Sequence, residues 1–177
     1  MNEIISIVGL IVSLLPLIIL PLKIRAGILH YFSLYIFLVL YYSSLAIYTF
    51  VNNDYITPFL YLFEMLFLLN MYRTYLKKEL FFALPVIFYF NDIAVMLSFY
   101  FTTFNLVEIF KSALKGAKIS SLVLFSLLFF EIGVILQIMW IFHFHQYVNV
   151  FTQILFLLGT VLFIIPALRV AYEEEKI

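Results

Sequence analysis

Four long stretches of this chain, Ile4 to Leu22, Ile28 to Val51, Tyr55 to Tyr72 and Ile119 to Phe142, and a fifth, Val148 to Leu168, each carry at most one Asp, Glu, Lys or Arg. Each supplies roughly the 17–25 residues that a helix needs to cross the ~30 Å hydrocarbon core of a bilayer. The runs are too long and too continuously apolar for the alternating strands of a barrel, and a spanning backbone must satisfy its own hydrogen bonds, so α-helices are expected. Composition agrees: 66% of the 177 residues are hydrophobic and 11% charged. One core of this length has no room for so much apolar side chain, and lipid is the expected solvent for the rest. The expected fold class is all-α, a polytopic transmembrane helix bundle forming one integral membrane domain over residues 1–177.

The stretch between Lys78 and Lys118 allows two readings. In one, Leu80 to Phe101 is a span and Thr102 to Lys118 an interfacial amphipathic helix with Leu106, Val107, Phe110, Ala113 and Leu114 on one stripe, giving six spans. In the other, Asn91-Asp92 is an outside turn like Asn52-Asn53-Asp54, so that Tyr75 to Phe90 goes out and Ile93 to Phe110 comes back, giving seven. Lys and Arg near span ends are retained on the cytoplasmic side. Six spans divide the ten Lys and Arg five to five, whereas seven place all ten on one face. Six spans also leave Asp92 near the bilayer midplane, at about 2.5–3.5 kcal/mol on insertion scales. The sequence therefore favours seven short-looped spans, approximately 4–22, 28–51, 55–72, 75–90, 93–110, 119–142 and 148–168. The expected location is the cell membrane, with the N-terminus outside and the C-terminus cytoplasmic. The first run has no Lys or Arg before it and no small-residue cleavage site, so a retained span is expected there rather than a signal peptide.

Charge and motif content narrow the function. Ten basic residues balance ten acidic ones, so nucleic acid is not an expected partner. The chain has no cysteine, hence no thiolate metal site or thiol nucleophile. Phosphate-cradling glycine loops, H-E-x-x-H and G-x-S-x-G are absent, and Val148 to Leu168 holds no Lys for a retinal Schiff base. No catalytic residue, cofactor or metal is expected. His143 and His145 flank Phe144, but two ligands do not make a zinc site. Glu108, Lys111 and Lys115 read as a solvated helix face with an i,i+3 ion pair.

The sharpest signals are Glu64, ten residues after Asp54 and nine before Arg73, and Glu131, thirteen after Lys118 and twelve before His143. Both fall near the middle of the bilayer, where ionisable residues mark proton or ion pathways. The competing reading is a carboxyl that hydrogen-bonds a neighbouring helix and only fixes packing. Asn70 follows Glu64, and Gln137 follows Glu131, at the same spacing of six, a hint of an inverted repeat. Six residues turn a helix by about 600°, so each Glu and its amide point some 120° apart. The absence of G-x-x-x-G predicts interfaces filled by large Phe, Leu and Ile side chains. The function expected is a non-enzymatic sensory, scaffolding or accessory bundle acting through its membrane helices on a membrane-protein partner or a second copy. The alternative is a small carrier or proton-coupled transporter using Glu64 and Glu131, with Asn70 and Gln137 as secondary contacts.

Overall fold

The computed structural model describes residues 2–23, 29–51, 54–76, 90–115, 120–141 and 148–173. All of the regular structure in them is helical: α1 (Asn2–Lys23), α2 (Leu29–Val51), a 3₁₀ turn (Asp54–Ile56), α3 (Thr57–Leu76), α4 (Phe90–Leu114), α5 (Ser121–Ile141) and α6 (Val148–Glu173). Five of the six, all but α3, are long and apolar enough to cross a membrane. The apolar run of α3 is shorter, Thr57–Met71. Most of the expected span Tyr75 to Phe90 lies outside the described residues. Asn91 and Asp92 sit in the first turn of α4, where an acidic side chain complements the positive end of the helix dipole. The helix then runs unbroken past Phe101 and Thr102 to Leu114, with no division at that point.

Local chemistry accounts for the helix ends. Pro58 occupies the first turn of α3, where its missing N–H has no partner to lose. Pro16 and Pro21 lie within α1, which continues to Lys23. Ser13 Oγ bonds the Leu10 carbonyl at 2.9 Å just before the first of these prolines, the kind of local side-chain bond that accompanies proline in apolar helices.

Each helix packs on the next, and α6 returns to α1, so the six form a closed ring. Antiparallel pairing is set by the short connections, with one exception. Asn105 of α4 bonds the Leu68 carbonyl of α3, while Ser98, two turns earlier, lies beside Glu64. Residue numbers therefore rise in the same direction along both helices, and α3 and α4 are parallel. At one end, here the upper, α1, α3, α4 and α6 begin and α2 and α5 finish; the lower end is the reverse. Every Lys and Arg among the described residues, Lys23, Arg73, Lys111, Lys115 and Arg169, belongs to the lower end.

Polarity across the bundle is inverted relative to a water-soluble protein. On α4, Ser98, Thr102 and Asn105 are buried, while Val107, Phe110 and Leu114 are exposed, Leu114 at 75%. The outer face of α1 is a strip of Ile4, Ile7, Val8, Ile11, Leu15 and Ile18. The ring's centre is aromatic: Phe67 meets Phe130 and Phe163 edge-on at 5.4 and 5.8 Å, and Phe156 joins Phe130 to Tyr41. In a bilayer, apolar surface would gain little by leaving lipid for protein, and a bundle there would cohere through close packing and interhelical hydrogen bonds. Glycine supplies sockets for that packing, a feature that the missing G-x-x-x-G does not reveal. A Cβ on Gly133 of α5 would stand 2.8 Å from the Phe156 ring of α6, and one on Gly159 of α6 would stand 2.9 Å from the Phe130 ring of α5. The same interface carries a bond from Ser126 Oγ to the Gly159 carbonyl at 2.7 Å.

Candidate functional site

Glu64 lies on the face of α3 that also presents Leu60, Phe67, Leu68 and Met71, all buried, so helical periodicity turns its carboxyl into the ring. It is 1% exposed. Gln137 Nε2, from α5, donates to its Oε2 at 2.7 Å. The second oxygen, Oε1, has no hydrogen-bond partner. Ser98 Oγ of α4 lies against the same carboxyl outside hydrogen-bond geometry. Tyr41 and Tyr42 of α2 and Tyr61 of α3 are within its electrostatic reach. Four helices thus converge on one acid, and no Lys, Arg or His among the described residues acts on it.

Above the Glu64–Gln137 pair is a cavity of about 70 Å³, lined by Tyr41, Tyr48, Tyr61, Gln137, Trp140 and Gln153 among others, and none of the described lining residues is charged. It extends from the level of Tyr41 to that of Tyr48, seven residues or about 10 Å along α2. Its walls are the upper parts of α2, α3, α5 and α6. Beneath lies the aromatic layer of Phe67, Phe130, Phe156 and Phe163. A volume of this size holds several waters. Gln153 Nε2 is held by Asn149 Oδ1 at 3.2 Å, and the Oε1 atoms of both Gln137 and Gln153 are buried without a partner.

The other residues singled out by sequence are distributed elsewhere. Glu131 Oε1 accepts from Thr103 Oγ1 at 2.6 Å in the α4–α5 interface, and its Oε2 is buried without a partner. Asn70 donates to Ser33 Oγ at 2.6 Å between α3 and α2. Of the four, only Glu64 and Gln137 come together. The equal Glu-to-amide spacing produces no matched pairs, because the two amides bond different partners.

Several contributors were not singled out from sequence: Ser98, Thr103 and Asn105 on α4, Tyr41 on α2, and Gln153 on α6. A signal for α4 exists in the 98, 102, 105 spacing, which puts Ser, Thr and Asn on one helical stripe. His143 and His145 lie outside the described residues. Among the described residues no group of three His, Cys, Asp or Glu is placed to hold a metal. The Glu108–Lys111 ion pair is present at 3.1 Å on the lower surface.

The chain matches no protein-family model, no curated protein and no solved structure. Function therefore rests on the geometry alone. That geometry is an acid held by one amide beneath a cavity whose described lining is polar, aromatic and uncharged.

Proposed function

We propose that the chain is an integral protein of the cell membrane that crosses it seven times, N-terminus outside and C-terminus cytoplasmic. In this reading it acts without catalysis, as a sensory or accessory bundle whose helices respond to what occupies the upper cavity. The observation that carries the role is the cavity itself, whose described lining is polar and uncharged at the upper end and which is stopped below by the aromatic layer. Inverted polarity supports the lipid environment. Parallel α3 and α4 support seven crossings, because the chain between Leu76 and Phe90 has to join the lower end to the upper. The gathering of basic residues at the lower end supports a cytoplasmic lower face.

Because the protein has no cysteine, single cysteines test this directly. Placed at Tyr55 and Asp92, they are expected to react with an impermeant thiol reagent on intact cells; at Lys23 and Lys115, only after permeabilisation. Reaction of Lys23→Cys and Lys115→Cys from opposite faces would overturn the crossing count.

The carrier reading draws support from Glu64 beneath the cavity, but Glu131 lies in a different interface. Proteoliposomes holding a pH dye separate the two roles. The bundle reading expects no protein-dependent proton flux under an imposed potential; a flux abolished by Glu64→Gln would install the carrier.

A further inference from the structure

Three buried acceptor oxygens, Glu64 Oε1, Gln137 Oε1 and Gln153 Oε1, have no hydrogen-bond partner, and the two glutamines line the cavity. Each has one amide N–H committed, Gln137 to Glu64 and Gln153 to Asn149, while its oxygen accepts no bond and is open to a donor. An unmatched buried acceptor is destabilising, and a carboxylate at this depth without a cation is more so. A cation that donates several N–H bonds complements these acceptors. Tyr41, Tyr48, Tyr61 and Trp140 line the same cavity, and aromatic faces attract a desolvated cation.

We infer that this cavity binds a small primary alkylammonium ion, its N–H groups directed to the glutamine oxygens, its charge balanced by Glu64, and its short chain among the tyrosines and Trp140. Size limits the ligand. A cavity of roughly 150 Å³ holds a benzene-sized molecule; about 70 Å³ admits methylammonium or ethylammonium. A bare alkali ion is disfavoured, because it needs a shell of oxygens and gains nothing from the hydrocarbon wall. The inference rests on the membrane-bundle reading but on neither its crossing count nor its orientation.

Trp140 is the only tryptophan and lines the cavity, so its fluorescence reports occupancy. The full chain in nanodiscs is titrated with ethylammonium chloride, with sodium chloride at equal ionic strength and with uncharged ethanol. A saturable change is expected for ethylammonium alone, with affinity reduced at least tenfold in Glu64→Gln and unaltered in Glu131→Gln. Gln153→Leu, which leaves Glu64 and Gln137 in place, is expected to weaken binding severalfold and keeps the test open should Glu64→Gln not fold. No saturable change, an equal response to sodium or ethanol, or equal losses in the Glu64 and Glu131 variants would overturn the site. The labelling experiment on cells is independent of this outcome, so failure of one is told apart from failure of the other.

Discussion

Gln137 Nε2 stands 2.7 Å from Glu64 Oε2 and ties α5 to α3 through the middle of the helix ring. The bond is enclosed on both sides, by the polar cavity above and by the Phe67, Phe130 and Phe163 rings below. It therefore serves packing and site at once.

Removing the amide leaves the acid with no hydrogen bond at all. Gln137→Leu is expected to destabilise the bundle by about 1–3 kcal/mol, the usual cost of a buried polar group left unpaired. Adding Glu64→Leu to it should cost less than the sum of the single changes, since each then removes a group that the other has orphaned. Unfolding in mixed micelles measures all three variants; strict additivity would show that the pair is not coupled.

The reciprocal sockets of Gly133 and Gly159 make a sharper case. A methyl group at either position meets a packed phenylalanine ring on the facing helix, so Gly133→Ala and Gly159→Ala should each destabilise by about 1–3 kcal/mol. This runs against the usual gain from alanine in a helix interior. Thermal stability equal to or above the parent for either variant would place the α5–α6 interface differently.

Thr103→Val removes the hydrogen bond to Glu131 while keeping shape. A loss of about 1–2 kcal/mol is expected from the stranded acid, with ethylammonium affinity unchanged because the α4–α5 interface does not touch the cavity. A shift in affinity without a shift in stability would contradict this separation.

Parallel α3 and α4 have a geometric signature. Spin labels at Thr57 and Asp92 mark the upper ends of the two helices, whereas Leu114 marks the lower end of α4. The 57–92 distance should be shorter than the 57–114 distance by roughly 20 Å or more, from 1.5 Å of rise per residue. Pulsed dipolar spectroscopy gives both values, and the reverse order would make the helices antiparallel.

How much of this was legible beforehand differs from residue to residue. Glu64 is marked by its depth inside an apolar run and Gln137 by its six-residue spacing after Glu131, which assigns them to separate helix-local pairs, Glu64 with Asn70 and Glu131 with Gln137. Sequence spacing measures rotation within one helix; it carries no information on which neighbour a side chain meets. Leu106, Val107, Phe110 and Leu114 read as one stripe, yet Val107, Phe110 and Leu114 face outward while Leu106 packs against the core, all along a continuous α4 rather than on a separate interfacial helix. In lipid, the apolar face is the outer one, and the informative face of such a helix is its polar one.

What the amino-acid order determined by itself is the helical class and the length of its apolar runs, because hydrocarbon forces a spanning backbone to bond internally and excludes charge. It also determined which few side chains are costly to hold there. The parallel course of α3 and α4 is already implied by the seven-span expectation, in which Tyr75 to Phe90 runs out between them. Only the tertiary structure decided that glycines receive aromatic rings and that Glu64 meets Gln137 beneath a cavity. Those outcomes depend on how six similar cylinders are ordered around a ring, and their near-uniform apolar surfaces do not encode that order until interhelical hydrogen bonds and ring-into-glycine contacts select it.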